Sequence, residues 1–507
     1  MGKNKQLAIN MIAQIIGFIV SSCISFFLTP YVVNTVGSEA YGFVTLANNF
    51  VSYAQLVAVA LNSMASRFIT IKIHQNDKEG ANKYFTSVVI ANMFLAIISS
   101  IIAVIIVLNI NRILNISDNI LLDVQILWGF IFANFAVSLI GGTYGVATYA
   151  CNRLDLTSIR NIQSNIIKVI ILVSMYTLLK PGVWYIGFAA LICTTYVLIW
   201  DMHYTKKLLP EIKVSKSYFD IKAIWEIISS GIWNTITRLG QLLSVGIDLL
   251  ITNLFIGSQA MGTLSIAKTV PSLISNINGM LAGVFSPSLT IAYAKGDKNE
   301  LLSTLKQSIK LMGIVVNIPI AILIVFGDKF YSLWMPKEDP RLLQILSIIT
   351  ISCSIIECSI MCIYYVFTAL NKVKENSISV LVQGLLNAVI VIILLKMTDW
   401  GIFAVAGVSS IISILRNILF SAPYGAKVLN LKWYAFFPEI GKSILSVIVL
   451  SITTFIVKKL IPVYGWFTLI IAVGIACIIG LILNIFLFLN KNDRKIVINI
   501  ITSKIKM

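Results

Sequence analysis

The chain has 507 residues, 58% hydrophobic and only 12% charged, with 39 Lys and Arg against 21 Asp and Glu for a net charge of +18. An ordinary soluble domain carries about 25% charged residues, so a soluble fold is excluded and an integral membrane protein is expected. The cations are scattered through short loops, as membrane topology alone requires; nucleic acid is therefore not an expected partner, while anionic membrane lipid is.

A spanning helix needs about 20 apolar residues. Fourteen such segments are expected in chain order, at 7–33, 41–66, 84–108, 123–148, 161–179, 184–202, 224–254, 260–286, 306–327, 342–369, 377–396, 400–420, 440–458 and 464–489. The first begins after Lys3 and Lys5 and is read as a span rather than a cleaved leader. The fifth and sixth are separated only by Lys180-Pro181-Gly182. The fold class is therefore all-α, a polytopic membrane helix bundle.

Two stretches repeat each other 220 positions apart: Val36-Gly37-Ser38-Glu39-Ala40-Tyr41-Gly42 reads against Ile256-Gly257-Ser258-Gln259-Ala260-Met261-Gly262. At the same offset Thr70-Ile71 meets Thr290-Ile291, and Asp77-Lys78 meets Asp297-Lys298. Such symmetry in a hydrophobic chain points to a transporter of two related halves. It predicts a six-helix lobe over 1–202, a cytoplasmic linker over 203–223, a second six-helix lobe over 224–420, and two further helices with a basic tail over 421–507.

With the N-terminus inside, 27 of the 39 cations fall on the cytoplasmic side, 8 on the other, and 4 (Lys168, Arg238, Lys268, Arg416) within spans. Both termini are then cytoplasmic, and the expected location is the bacterial cytoplasmic membrane. The seven cysteines show no Cys-x-x-Cys, and the pair Cys358 and Cys362 has neither histidine, His74 or His203, nearby in sequence, so they read as reduced packing residues. Phosphate-loop, metalloprotease and serine-hydrolase motifs are missing, and the longest polar connections run to about 20 residues, too short for a catalytic domain. An enzyme is not expected, nor a bound cofactor or metal.

The chemistry lies in polar residues placed where lipid disfavours them. At ~100° per residue, Asn234, Arg238, Gln241, Asp248 and Thr252 share one face of the seventh span, and Lys268, Ser272, Ser275 and Ser286 one face of the eighth. The first half repeats the pattern with Asn48, Ser52, Gln55, Asn62 and Ser66 on the second span, and Asn10, Gln14, Ser21 and Ser25 on the first. Polar faces can be packing glue, but a charge at the bilayer centre costs about 2.5–3.5 kcal/mol on the mildest scale. Arg238 therefore needs water, a partner or a ligand, and a water-filled cavity is expected. By depth Arg238 is matched with Glu357 on the tenth span and Asp248 with Lys268; each pair reads equally as a structural ion pair or as a cargo or coupling-ion site. Lys168 and Arg416 are expected to snorkel to the cytoplasmic surface.

The opening Leu28-Thr29-Pro30-Tyr31-Val32-Val33 followed by Val36-Gly37-Ser38-Glu39-Ala40-Tyr41-Gly42 resembles the start of the O-antigen and capsule-repeat flippases, of the multidrug/oligosaccharidyl-lipid/polysaccharide exporter superfamily. The resemblance extends over the whole chain in length, helix number and duplication. It implies two six-helix lobes, with the first, second, seventh and eighth helices lining a central cavity, and the flipping of undecaprenyl-pyrophosphate-linked oligosaccharides by alternating access. Arg238 and Lys268 would then attract the diphosphate, while Asn234, Gln241, Asn48, Gln55, Asn62 and Gln14 bond sugar hydroxyls. Asp248 and Glu357 are the candidates for a coupling proton or sodium ion, and a glycan polymerase or assembly complex is the implied protein partner. In the related lipid II flippases extra C-terminal helices form a groove for the lipid tail, a role the last two spans here would share. The equivalent of Lys268 in the first half is the neutral Asn48, and of the arginine cluster that would favour lipid II only Arg67 is present. Alternatives are a cation-coupled multidrug exporter, a lipid II flippase, or a membrane enzyme or assembly factor for surface glycans.

Overall fold

The computed structural model describes residues 3–294, 298–370 and 372–489. Asp297 of the repeat and the basic tail beyond 489 lie outside them. Among the described residues all fourteen expected spans are helical. They are α1 (Lys3–Val36), α2 (Ser38–His74), α3 (Lys78–Leu108), α4 (Leu121–Tyr144), α5 (Leu154–Leu178), α6 (Tyr185–Leu208) and α7, which runs Ile221–Gln241, then a π-helical turn Leu242–Gly246, then Asp248–Phe255. There follow α8 (Ser258–Ala294), α9 (Lys298–Trp334), α10 (Pro340–Ile351 and Ser354–Ala369), α11 (Val373–Met397), α12 (Ile402–Arg416, a π-helical turn Asn417–Ser421, and Ala422–Val428), α13 (Phe437–Leu460) and α14 (Trp466–Phe488). Among the described residues twelve of these are long and apolar enough to cross a membrane; α7 and α8, which carry the polar faces, are not among the twelve.

The chain divides into two compact units, Met1–Ser265 and Ile266–Met507. In the first, α4 packs along α6, α1 along α5, and α2 against α3, α4 and α7. Close approach is allowed by small residues: a Cβ on Gly187 of α6 would stand 2.9 Å from the Leu127 carbonyl of α4, and one on Gly231 of α7 would collide with the Ala60 carbonyl of α2. The connection from α6 to α7 is held down along α3. Asn82 donates to the Glu211 carbonyl at 3.2 Å and accepts from the Lys213 amide at 2.6 Å, and Ser87 accepts from the Asp220 amide at 2.8 Å. Asp77 caps α3; the Gly80 amide and then Lys72 hold its carboxyl below the usual carboxylate range.

The repeated motif shows its purpose in the same unit. Gly37 and Gly257 both take positive φ, 91° and 132°, which only glycine adopts without strain, and so let α2 and α8 start immediately after the preceding span. Five residues on, Gly42 and Gly262 meet: a Cβ on Gly42 would lie 2.9 Å from the Gly262 Cα. Ser265 then donates to Thr45 at 2.7 Å, two positions 220 apart. The repeats therefore touch at their own equivalent residues, as a local two-fold axis requires.

In the second unit α9 is the central post, flanked by α10, α13 and α14. A buried ladder of small polar groups links them: Asn317 donates to Ser443 at 3.4 Å, Ser443 lies 2.9 Å from Ser359, and Asn484 accepts from Ser446 at 2.6 Å while donating to the Ile314 carbonyl at 3.0 Å. Phe488 packs where Gly313 leaves room, and Lys458 binds Asp328 at 2.6 Å. The C-terminal pair α13–α14 is thus fixed to α9 by hydrogen bonds that hydrocarbon makes costly to lose.

Arg160 of α5 forms an ion pair with Asp201 of α6, the two side chains only 4% and 7% exposed. Removing one partner of such a pair leaves an uncompensated buried charge, a loss of about 3–5 kcal/mol. Arg160→Met is expected to lower the detergent melting temperature sharply, and Arg160→Met with Asp201→Leu to recover most of it. A double variant as unstable as the single one would show that the pair is not the reason.

Candidate functional site

The polar faces are positioned by α1, α2, α7 and α8, and the structure treats their residues differently. On α7, Asn234 and Arg238 are half-buried and Gln241 is exposed. Asn234 donates to Ser63 of α2 at 3.3 Å and Arg238 to Gln241 at 3.4 Å, long contacts that leave most of the guanidinium's donors available. Asp248 and Thr252, by contrast, are 0% exposed. The expected single stripe of five is corrected here. The π-helical turn at Leu242–Gly246 inserts a residue and rotates the helix beyond it by roughly 100°. Asp248 is carried into packing beside Tyr53, whose hydroxyl donates to the Gly246 carbonyl at 2.7 Å, joined by Asn49 at 2.9 Å.

On α2, Asn48 is exposed and turns its amide to the Val44 carbonyl at 2.9 Å, and Gln55 is half-buried. Asn62 faces α3: it exchanges hydrogen bonds with Asn92 at 2.8 and 3.2 Å, and Asn92 donates to Thr143 at 3.0 Å. Gln14 of α1 is exposed and lines a cleft between α1 and α5. Lys268 of α8 is half-buried in the second unit.

Within its own unit Glu357 of α10 lies in electrostatic reach of Arg416 of α12. Arg416 does not snorkel. It donates to the Tyr364 hydroxyl and to Asn417 at 3.2 Å, with its guanidinium 5.5 Å from the Tyr364 ring, and Tyr364 donates to Asn417 at 2.7 Å. The reason is the second π-helical turn, Asn417–Ser421, which follows Arg416 and opens the backbone around this cluster. Sequence reading had no signal for either π turn. It also passed over the pair Arg160–Asp201, and over a polar face on α5 whose spacing is plain in the chain. Among the described residues no group of three His, Cys, Asp or Glu side chains gathers to hold a metal.

The family model described as polysaccharide biosynthesis protein matches residues 7–291. A curated relative, the "Uncharacterized membrane protein EpsK" of Bacillus subtilis (strain 168), is 27% identical over 433 residues, 85% of each chain. Solved structures share the fold at low identity. An inward-facing multidrug resistance MATE family transporter of the MOP superfamily superposes with a TM-score of 0.69 at 14% identity, over 84% of this chain and 97% of that one. The MATE multidrug transporter DinF-BH gives 0.67 at 16% over 85% and 98%, and a MOP superfamily transporter from Pyrococcus furiosus gives 0.64 at 13% over 83% and 95%.

Because Asn62 is tied into a buried amide network, Asn62→Ala is expected to lower the melting temperature, by about 1 kcal/mol of stability, with little change in transport by the folded fraction. Transport lost at an unchanged melting temperature would instead place Asn62 on the cargo.

Proposed function

The chain belongs to the polysaccharide biosynthesis protein family of the MOP exporter superfamily, and from that premise we propose that it flips undecaprenyl-pyrophosphate-linked oligosaccharide repeat units from the cytoplasmic to the outer leaflet by alternating access. It is a multi-pass membrane protein of a transporter family; on this reading it performs no bond chemistry, both termini are cytoplasmic, and it sits in the bacterial cytoplasmic membrane beside the enzymes that build and polymerise the glycan.

The observation that carries the reading is Arg238, a cation ~25 Å along α7 from Ile221 with a neutral amide at 3.4 Å as its hydrogen-bond partner among the described residues of the first unit. A guanidinium there is weakly answered by protein and suits a diphosphate, whose doubly charged group it can bind bidentately in a low dielectric. On the same reading Lys268 is a second candidate cation for an anionic headgroup. The neutral amides Asn234, Gln241, Asn48, Gln55 and Gln14 suit hydroxyls of the sugar. The solved structures are 13–16% identical and so speak to fold alone.

The test is translocation of a fluorescent undecaprenyl-pyrophosphate oligosaccharide in proteoliposomes. Arg238→Ala and Lys268→Ala are each expected to slow flipping by roughly tenfold or more, about 1.4 kcal/mol per factor of ten, with folding intact. Equal flipping by all three would move the diphosphate elsewhere, and none by the natural chain, with export of cationic drugs, would favour the multidrug alternative. For coupling, neutralising Asp248 or Glu357 is expected to abolish the dependence of the rate on an imposed pH or sodium gradient; unaltered dependence in both variants would remove them from that role.

A further inference from the structure

Of the cleft beside Gln14 the flippase reading above uses only Gln14 itself, and the cleft lies wholly inside the first unit. Helices α1 and α5 run side by side in constant register. Asn10 donates to Asn152 at 2.9 Å, Gly17 faces Ser158 with 3.7 Å to a would-be Cβ, and the rings of Tyr31 and Tyr176 stand 5.7 Å apart. Between them opens a space of about 460 Å³, within the roughly 300–1,000 Å³ typical of small-ligand sites. Its polar lining is Gln14 and Ser21 from α1 with Thr157, Ser158, Asn161, Ser164 and Asn165 from α5; among the described residues no charged one lines it. The side-chain amides of Gln14 and Asn161 make no hydrogen bond to the described chain, so donors and acceptors face the space unengaged.

One helical turn further along α5 stands Lys168. Asn161, Ser164, Asn165 and Lys168 follow at i, i+3, i+4 and i+7, within ~100° of arc on one face. The opposite side, about 180° away, carries three exposed isoleucines, Ile159, Ile166 and Ile170 at 49%, 48% and 59%. Lys168 is therefore directed away from lipid, on the cleft's side of the helix. It cannot snorkel: at ~1.5 Å per residue it is ~21 Å from the cytoplasmic end of α5 at Leu154 and ~15 Å from the other end at Leu178. Among the described residues of the first unit no carboxylate pairs with it; the neighbouring titratable group is the Cys193 thiol. Arg160, on the same helix and fully buried, has Asp201.

We propose that the α1–α5 cleft is a saccharide subsite and that Lys168, at its inner-membrane end, holds a phosphate of the same lipid-linked molecule. This rests on the flippase reading and gives it a second contact point. Uncharged amides and hydroxyls match the hydroxyls of a sugar ring, Phe18 at the cleft wall offers an aromatic surface to the ring's apolar face, and the absence of an acid in the lining disfavours a cationic drug or a coupling cation there. An ammonium without an acid in hydrocarbon is stabilised by an anion brought by the ligand.

The test is equilibrium binding to the full chain in nanodiscs with two probes, undecaprenyl pyrophosphate and the same lipid carrying one N-acetylhexosamine. The natural chain is expected to bind both, the glycosylated probe more tightly. Lys168→Gln should weaken both probes about tenfold and Lys168→Arg should restore them. The double change Asn161→Ala, Asn165→Ala should remove only the preference for the sugar. Melting temperatures of the variants separate these effects from unfolding. If Lys168→Gln or the double variant binds both probes as the natural chain does, the subsite is overturned while the flippase reading stands; if the natural chain binds neither probe, the flippase reading fails and takes the subsite with it.

Discussion

A charge inside hydrocarbon has to be answered, and the answer each one receives organises this molecule. Desolvating an ammonium or guanidinium costs several kcal/mol unless a partner, water or ligand compensates it. Arg160 is answered by Asp201, Lys458 by Asp328, and Arg416 by Tyr364 and Asn417 with Glu357 nearby. These are the bolts of the two units. Among the described residues of the first unit Arg238 and Lys168 have neutral neighbours, Arg238 on the polar face of α7 and Lys168 beside the cleft between α1 and α5. Within the first unit, the cations with acidic partners belong to the scaffold, and Arg238 and Lys168 are the ones proposed to meet cargo.

The same economy of polar groups explains the scaffold. Spanning helices have no hydrophobic drive to associate inside lipid, so contact depends on close approach and internal hydrogen bonds. Gly42 against Gly262 and Gly231 against Ala60 provide the first; the Asn62–Asn92–Thr143 and Asn317–Ser443–Ser359 networks provide the second. The duplication is a physical device as well as a trace of history, since Thr45 and Ser265 bond each other across 220 residues.

Much of this was legible in the chain. Composition and hydrophobic length gave fourteen helices because a bilayer admits little else, and the repeated Gly-x-x-x-x-Gly was conspicuous because both of its glycines have a job, one at positive φ and one at a helix contact. What the chain hid was rotation. A straight count at ~100° per residue put Asp248 and Thr252 beside Arg238, and the π-helical turn at Leu242–Gly246 moved them into the packing. Lys168 was read as a snorkelling end residue because the fifth span was counted from 161; the helix starts at Leu154, which puts the lysine mid-membrane. Arg416 was misplaced for a similar reason, since the helix continues past it through a second π turn.

The account stands on the exposed end of the α7 polar face meeting glycan-bearing lipid. The most direct measurement places a photoactivatable benzoylphenylalanine at position 241 in living cells, with position 159 on the apolar face of α5 as the comparison, and identifies the crosslinked lipid by mass. The account predicts undecaprenyl-pyrophosphate-linked oligosaccharide at 241 and ordinary phospholipid at 159. Phospholipid alone at both positions, in cells that are producing the glycan, would contradict it.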